Sequence, residues 1–561
     1  MPTLPFGEYR PDVSDLDGQH TRSILNVVPR GDGYGPFNVA EAFTDALAAV
    51  CRGYFYAHNS DGTITIFAGS STKLYMMSNT DFSWSDVSVG AGSYAALDGD
   101  ANWAFAQFGQ YVIACQANAA VQVWDLASSS AFANLGGSPP NSAFVSVVNG
   151  FLVLSGLASN PRRIQWSGLN ATTTWTSGVN SSDYQDLPDG GNVGPVVGGE
   201  FGVILQDFAI RRMTFSPGSE TIFDIQRIGK DIGIQGYYSA CNAGERVFFL
   251  TPKGFMQSSG AGELLPIGEE KVNRTFFAEF DAGNSQLLQA AADPNTNTVL
   301  WVYKTSTNPN ATFNKGLLYN YLLQRWAPVE IEGEYLAALA SPGLTMENLD
   351  AIASGAMAIT DAVSASGLIK LTVASTSTLS TGNYKTISGV LGTTEANGTW
   401  AITVVNGTTF TLDGSTFANA YVSGGIVGGS LDDLTFSLDG FSTSSLPNLS
   451  MCGTAHKIGF FSGDALEATL ETPEQSGDGQ RIKVKGFFPI TDATDVRGRI
   501  SKRELLSAAL TYTAESTMNA QGYVCALRDT RYTRAKVRIP SGTNWSFASG
   551  VKPDAGLTGR R

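Results

Sequence analysis

The chain has 561 residues, 43% of them hydrophobic and only 15% charged, with 62 glycines and a formal net charge of −14. That apolar content excludes global disorder, and the length exceeds one ordinary core, so roughly three domains are expected. A glycine-, serine- and threonine-rich, charge-poor chain suits a turn-rich β protein and argues against a helical one.

Residues 1–50 read as an arm followed by one short helix. Met1–Arg10 has neither a basic n-region nor an apolar h-region, so it is not read as a secretory signal. No stretch approaches ~18 apolar residues, so membrane insertion by this chain is not expected. Val39–Val50 places apolar residues at helical spacing among good helix formers, which predicts a helix there.

Strands follow. Asp61-Gly62 supplies the positive φ of a tight hairpin turn, and Thr63–Phe67 alternates as a strand does. Beyond it, blocks rich in aromatic and β-branched residues recur every ~40–50 residues, the spacing of propeller blades. Their apolar centres are Phe105–Ile113, Phe144–Leu154, Val196–Leu205, Val247–Phe255 and Val299–Leu318. Turns are marked by Gly109, by Asn149-Gly150 and by Pro252-Lys253-Gly254, and large aromatics such as Trp124, Trp166 and Trp326 end strands. Such side chains fill the wedge between stacked sheets, so an all-β fold with a β-propeller of about six blades is predicted over 51–350 and 431–464.

The rhythm breaks in residues 351–430, where only five charged residues stand among Ser, Thr, Gly and Val. Strands recurring at shorter intervals, at Leu368–Val373, Tyr384–Ile387, Trp400–Val405, Thr409–Leu412 and Tyr421–Val427, predict a small β-barrel inserted into a propeller loop. Leu434–Leu438 and Ile458–Phe461 resume the blade pattern. Residues 465–561 then read as a separate β module. Residues 481–561 hold 15 basic and 6 acidic residues, a net of +9, whereas residues 1–480 hold 21 and 44, a net of −23. Asymmetry of this kind marks either different partners for the two parts or a solvated acidic body with a basic edge.

Catalytic patterns fail one by one. Five cysteines (Cys51, Cys115, Cys241, Cys452, Cys525) lie far apart without a CxxC pair, so free core thiols are expected. His20, His58 and His456 lack a second histidine at metal-ligand spacing and read as surface or packing residues. No Gly-x-Ser-x-Gly elbow is present. Around Gly229-Lys230, Asp224 stands where a phosphate loop needs its first glycine and Asp231 where it needs Ser or Thr. Asp98-Gly-Asp100-Ala-Asn102 begins like a calcium loop, but Trp103 and Gly109 occupy its glycine and glutamate positions. Paired carboxylates of a glycosidase cannot be placed from sequence. A non-enzymatic chain is expected, with no catalytic, cofactor or metal site.

The acidic body also lacks the basic face that tight nucleic-acid binding requires. In Arg528–Arg538, bases interleave with Tyr532, and strand alternation would place Arg534, Lys536 and Arg538 on one face beside it. A partner-docking edge strand blunted by charge is the preferred reading, with Arg528, Arg531, Tyr532, Arg534, Lys536 and Arg538 as its candidates.

Two resemblances add to this. Asn26-Val-Val-Pro-Arg30, Gly33-Tyr34-Gly-Pro36, Asp45-Ala-Leu47, Cys51-Arg-Gly53, Phe67-Ala-Gly69 and Lys73-Leu-Tyr75 resemble the opening of DNA-stabilisation, or nozzle, proteins from the tails of short-tailed double-stranded-DNA bacteriophages. Leu466–Thr472, Arg531-Tyr532, Ile539-Pro540, Trp545 and Gly559-Arg560 agree with the same family. The insertion, through Leu391–Trp400, Phe410–Ser415 and Ala420–Gly425, is similar to the small half-domain beside the first catalytic cysteine of ubiquitin-activating enzymes; it holds no cysteine, so no activating chemistry transfers.

The tail family implies a structural virion protein, assembled in the host cytoplasm, that forms a ring, usually of six copies, below the portal and adaptor. Its partners would be the tail adaptor (the head-to-tail connector), tail fibres or tailspikes, and duplex DNA passing without sequence-specific binding. An acidic wall would repel phosphate and let the duplex slide. A receptor-binding tail protein is the alternative, and a tail-borne glycosidase a third reading.

Overall fold

The computed structural model describes residues 3–343, 357–428 and 446–559, apart from 220, 261 and 378. Seven four-stranded antiparallel sheets occur among them, so the ring has seven blades where the rhythm suggested about six. Their inner strands are Tyr54–His58, Ala104–Phe108, Ser142–Val148, Val193–Val197, Cys241–Ala243, Gln289–Asp293 and Tyr335–Leu339, for blades 1 to 7 in turn. Neighbouring inner strands pack in this order, with the Tyr237–Ser239 turn joining blades 4 and 5, and Tyr335–Leu339 returns against Tyr54–His58 to close the ring.

The blades form because their pairings are local and their turns are encoded. Ser142–Val148 and Phe151–Leu157 are joined by Asn149 and Gly150, both at positive φ (44° and 83°), as a two-residue hairpin requires. Aromatics then fill the wedges. Phe67 lies 5.3 Å from Trp124 between blades 1 and 2, and Phe255 lies 5.0 Å from both Trp301 and Trp326 between blades 5 and 6.

Blade 7 corrects the reading of the arm. Its outer strand is Glu41–Ala42, paired with Ile458–Phe460 of the same sheet, and Val39–Val50 contains no helix. Phe43 and Leu47 are buried beside Phe460 and Phe82, with the Phe43 and Phe460 rings stacked 5.1 Å apart. Pairing an open sheet edge and burying two large side chains outweighs the few tenths of a kcal/mol per residue that helix propensity supplies.

The insertion leaves blade 7 between its first and second strands. Seven strands from Met357–Ala358 to Ile426–Gly428 form one sheet, and its edge strands, Met357–Ala358 and Asp361–Ala365, are near neighbours in the chain. The sheet thus curls back on itself around its own core, which includes Ile369, Leu371, Ile402, Phe410 and Leu412. The expected strand at Leu434–Leu438 lies outside the described residues; Ile458–Phe460 is a blade strand as expected.

The C-terminal module is not a separate unit, which corrects the boundary at 465. It is a two-sheet sandwich to which the arm contributes strands. One sheet runs Val524–Thr530, Ile482–Thr491, Ala548–Leu557, Gly33–Pro36, Val27–Arg30, with Leu4–Pro5 added on Ala548–Leu557. The other runs Ile24–Leu25, Ala468–Glu471, Ala535–Ile539, Arg497–Lys502, Thr511–Tyr512, with Ser516–Thr517 on Arg497–Lys502. Tyr34 shows the interlock. It is fully buried, donates to Gly7 O at 2.7 Å, and lies under the Arg325 guanidinium of blade 6 at 4.7 Å. One hydrophobic cluster spans the sandwich and blades 5 and 6.

Candidate functional site

The structure gives the Arg528–Arg538 run an internal role. Ala535–Ile539 is a central strand between Ala468–Glu471 and Arg497–Lys502, not the edge strand expected. Its alternation is as read: Ala535, Val537 and Ile539 point into the core, while Lys536 and Arg538 share the other face. Arg534 precedes the strand and is buried, with Asp15 Oδ1 at 2.9 Å, Glu474 at 3.7 Å and Glu471 at 3.8 Å. Lys536 pairs with Glu471 at 3.1 Å. Arg538 grips Glu515 and Glu467 at 2.5 and 2.6 Å, and Arg499 adds a second cation to Glu515 at 2.9 Å.

These partners move protonation in opposite directions. Hydrogen bonds from Arg538 hold Glu515 down at about 2. Asp15 is shifted upward because burial outweighs the attraction of Arg534. Arg528 is half-buried with Nε lacking a hydrogen-bond partner, and Tyr532 sits beneath the Arg503 guanidinium at 5.9 Å. Arg503 in turn pairs with the fully buried Glu474. Arg531 is half-buried in the adjoining turn.

The module's free cations lie elsewhere. On the outer face of the other sheet, Lys483, Lys485 and Lys552 are exposed and make no ion pair among the described residues. Between them stand two exposed apolar side chains, Phe488 (41% exposed) and Leu527 (61%). Phe488 faces Lys552 across the ladder, and its ring packs 5.0 Å from Tyr523. The sequence did carry a signal for this face: Ile482-Lys483-Val484-Lys485 alternates apolar inward and cation outward.

The propeller's own axis is bridged. The segments leading into the inner strands of blades 1, 2, 5 and 6 meet across it. Asn102 N donates to Tyr238 Oη at 2.7 Å, and Asn102 Nδ2 donates to Gln286 O at 3.3 Å. Arg52 donates to the carbonyls of Asp98, Gly99 and Ala101, and Phe144 of blade 3 packs 5.7 Å from the rings of both Tyr237 and Tyr238. Burial pushes the Tyr238 hydroxyl pKa upward, so it remains a neutral hydrogen-bonding group. The Asp98–Asn102 segment is therefore a connection into blade 2 whose Asn102 side chain faces the axis.

One polar cluster sits at the blade 7 seam. The buried Glu334 carboxylate accepts from Cys51 N at 2.8 Å and contacts His456 Nδ1 at 2.6 Å. The Cys452 thiol pKa is pushed up by its hydrogen bond with Cys51, by burial and by the nearby Glu334 charge, which keeps it protonated and a poor nucleophile. Among the described residues no group of three or more His, Cys, Asp or Glu is arranged to hold a metal ion.

No family model and no curated protein matches the chain. Among solved structures, similarity is found to the extracellular domain of a hybrid two-component system protein from B. thetaiotaomicron, at 12% identity and a TM-score of 0.33, over 60% of this chain and 45% of that one. A second structure of an extracellular domain from that organism, described as a one-component system, matches at 11% identity and a TM-score of 0.34, over 70% and 48%. In both cases the match spans less than half of the other chain. BamB from Moraxella catarrhalis matches at 10% identity and a TM-score of 0.30, over 70% of this chain and 97% of that one.

Proposed function

We propose that this chain is a structural subunit of the tail nozzle of a short-tailed bacteriophage, arranged in copies around the tail axis to extend the DNA channel below the portal and adaptor, retain the packaged genome and conduct it at ejection. The observation that carries this reading is the meeting of its two sets of resembling residues. Asn26–Pro36 and Leu466–Trp545 lie at opposite ends of the chain yet build one sandwich clamped to blades 5 and 6. Motifs shared across both ends are what a family built on that clamp would preserve.

The Tyr238–Asn102 bridge refines the proposal. Duplex DNA would pass between copies of the chain, along an axis they surround, and not through the propeller's own axis. The acidic body suits a wall on which phosphate does not stick. The inserted barrel exposes Tyr384 (63%), Leu391 (56%) and Val422 (70%) on a nearly uncharged surface. It would point outward towards a tail fibre or tailspike. The same surface is the observation that favours a receptor-binding role as the second reading.

Imaging of particles assembled without the protein separates the two. The nozzle role predicts truncated tails and filled heads that lose DNA. Full-length tails with retained DNA and a defect confined to adsorption would overturn it in favour of receptor binding.

A further inference from the structure

We infer that the Lys483–Lys485–Lys552 face docks onto blade 1 of a second copy of the same chain, so that copies join head to tail. The inference rests on the multi-copy reading above and identifies the two faces that would meet. The module's arginines are largely engaged inside the subunit, in pairs with Asp15, Glu467, Glu471, Glu474, Glu504, Glu515 and Asp529. Among the described residues, what is left pointing outward on this sheet is three lysines without an ion pair, around Phe488 and Leu527; Lys502, also exposed and without one, lies on the other sheet. Exposed apolar anchors bordered by cations suit an acidic protein surface with a shallow apolar area.

This chain carries an acidic surface of its own. Residues 41–141 hold eight carboxylates against two basic side chains, Arg52 and Lys73. Lys73 is engaged by Asp86 at 2.6 Å, and Arg52 by backbone carbonyls. Asp45, Asp61 and Asp81 are exposed and make no ion pair among the described residues. Local bonds gather them at one end of blade 1: Asp45 N donates to Phe82 O at 3.1 Å, and Asn79 Nδ2 ties the Asp81 turn to Ile64 O at 2.7 Å. Hydrogen bonds from Thr63 and from Ser78 lower the pKa values of Asp61 and Asp81 respectively, so both stay ionised at neutral pH.

Placement makes the contact intermolecular. The sandwich is fixed to blades 5 and 6, and blade 1 lies two to three positions further round the ring. The lysine face and the aspartate end are therefore different, non-overlapping surfaces. Different surfaces that complement each other give a heterologous contact, which repeats by rotation into a closed ring or by a screw into a filament. A DNA backbone is the competing occupant for the lysines, but it would gain nothing from Phe488 and Leu527.

Sedimentation velocity of the full-length protein over a concentration series, at low and at high salt, tests this. The wild type should self-associate at low salt and dissociate as salt rises. Lys483→Glu, Lys485→Glu and Lys552→Glu combined should weaken association about tenfold or more, with an unchanged melting temperature. Phe488→Ser with Leu527→Ser should weaken it while leaving the salt dependence intact. The decisive arm mixes the lysine-reversed protein with Asp45→Lys, Asp61→Lys, Asp81→Lys protein: each alone should stay monomeric, and together they should form mixed assemblies in which the two alternate, because both contacts are complementary again. Four results would overturn the inference: a monomeric wild type, lysine variants that associate normally, a mixture that does not pair, or wild-type lysines that bind a DNA duplex in preference to a second copy. None of these would decide the nozzle reading, which the particle imaging addresses separately.

Discussion

Arg534 is 6% exposed and held between three carboxylates drawn from residues 15, 471 and 474. Removing its guanidinium leaves buried charge uncompensated, so Arg534→Met should cost about 3–5 kcal/mol, read as a lower urea midpoint. Glu515 sets an acid limit on the same sandwich. A depressed carboxylate contributes stability that is complete above its ordinary value of 4.5 and is lost as pH falls through about 2. Melting temperature should therefore drop over that window, and Glu515→Gln should flatten the drop. The sequence made Lys536 and Arg538 legible as neighbours on one strand face, because alternation is a local property. It did not make their partners legible: Asp15 lies 519 residues from Arg534 in the chain, and nothing local distinguishes a free cation from one answered at that distance.

At the scale of elements, blade 7 is the most revealing. Its closing strand, Glu41–Ala42, lies against Gly459, where any Cβ would collide with the Glu41 carbonyl. Gly459→Val should therefore expel the strand and expose Phe43 and Leu47. Hydrogen exchange of 41–47 should then approach the rate of an open segment, while blades 3 and 4 keep their protection. Blades 2 to 6 were readable because each is a chain of hairpins whose turns are written in Gly and Asn. The closing strand was misread as helix because its register is imposed from Ile458–Phe460, more than 400 residues away. Glu395 offers a contrast within the insertion. Backbone N–H groups of Asn419 and Ala418 hold its carboxyl down at about 2, so its loop depends on a charge that the low-charge composition conceals.

For the whole molecule, the insertion and the sandwich make opposite predictions. Leu339 and Asn448 are direct partners across blade 7, so replacing 344–445 by a short Gly-Ser linker closes an ordinary hairpin. The barrel's core is its own, and the excised protein should melt within a few degrees of the parent. Removing residues 3–36 should instead dissolve the sandwich, because Val27–Arg30, Gly33–Pro36 and Ile24–Leu25 are strands of its two sheets. Differential scanning calorimetry distinguishes a small shift from a lost transition.

That shared sandwich also governs when the molecule can become whole. Tyr34 pairs with Ala548, so the arm emerges from the ribosome long before its partner strands exist. At ~5–20 residues per second the interval is roughly 25–100 s. Through that time blades can form one after another, while Tyr34, Val27 and Ile24 find at most the flank of blades 5 and 6 and not the rest of their core. The nascent chain must carry an incompletely covered hydrophobic segment through most of its synthesis. A product stopped before Ala548–Leu557 would keep that segment uncovered and be marked for chaperones or proteolysis. Only a chain translated through that strand can hide its own beginning.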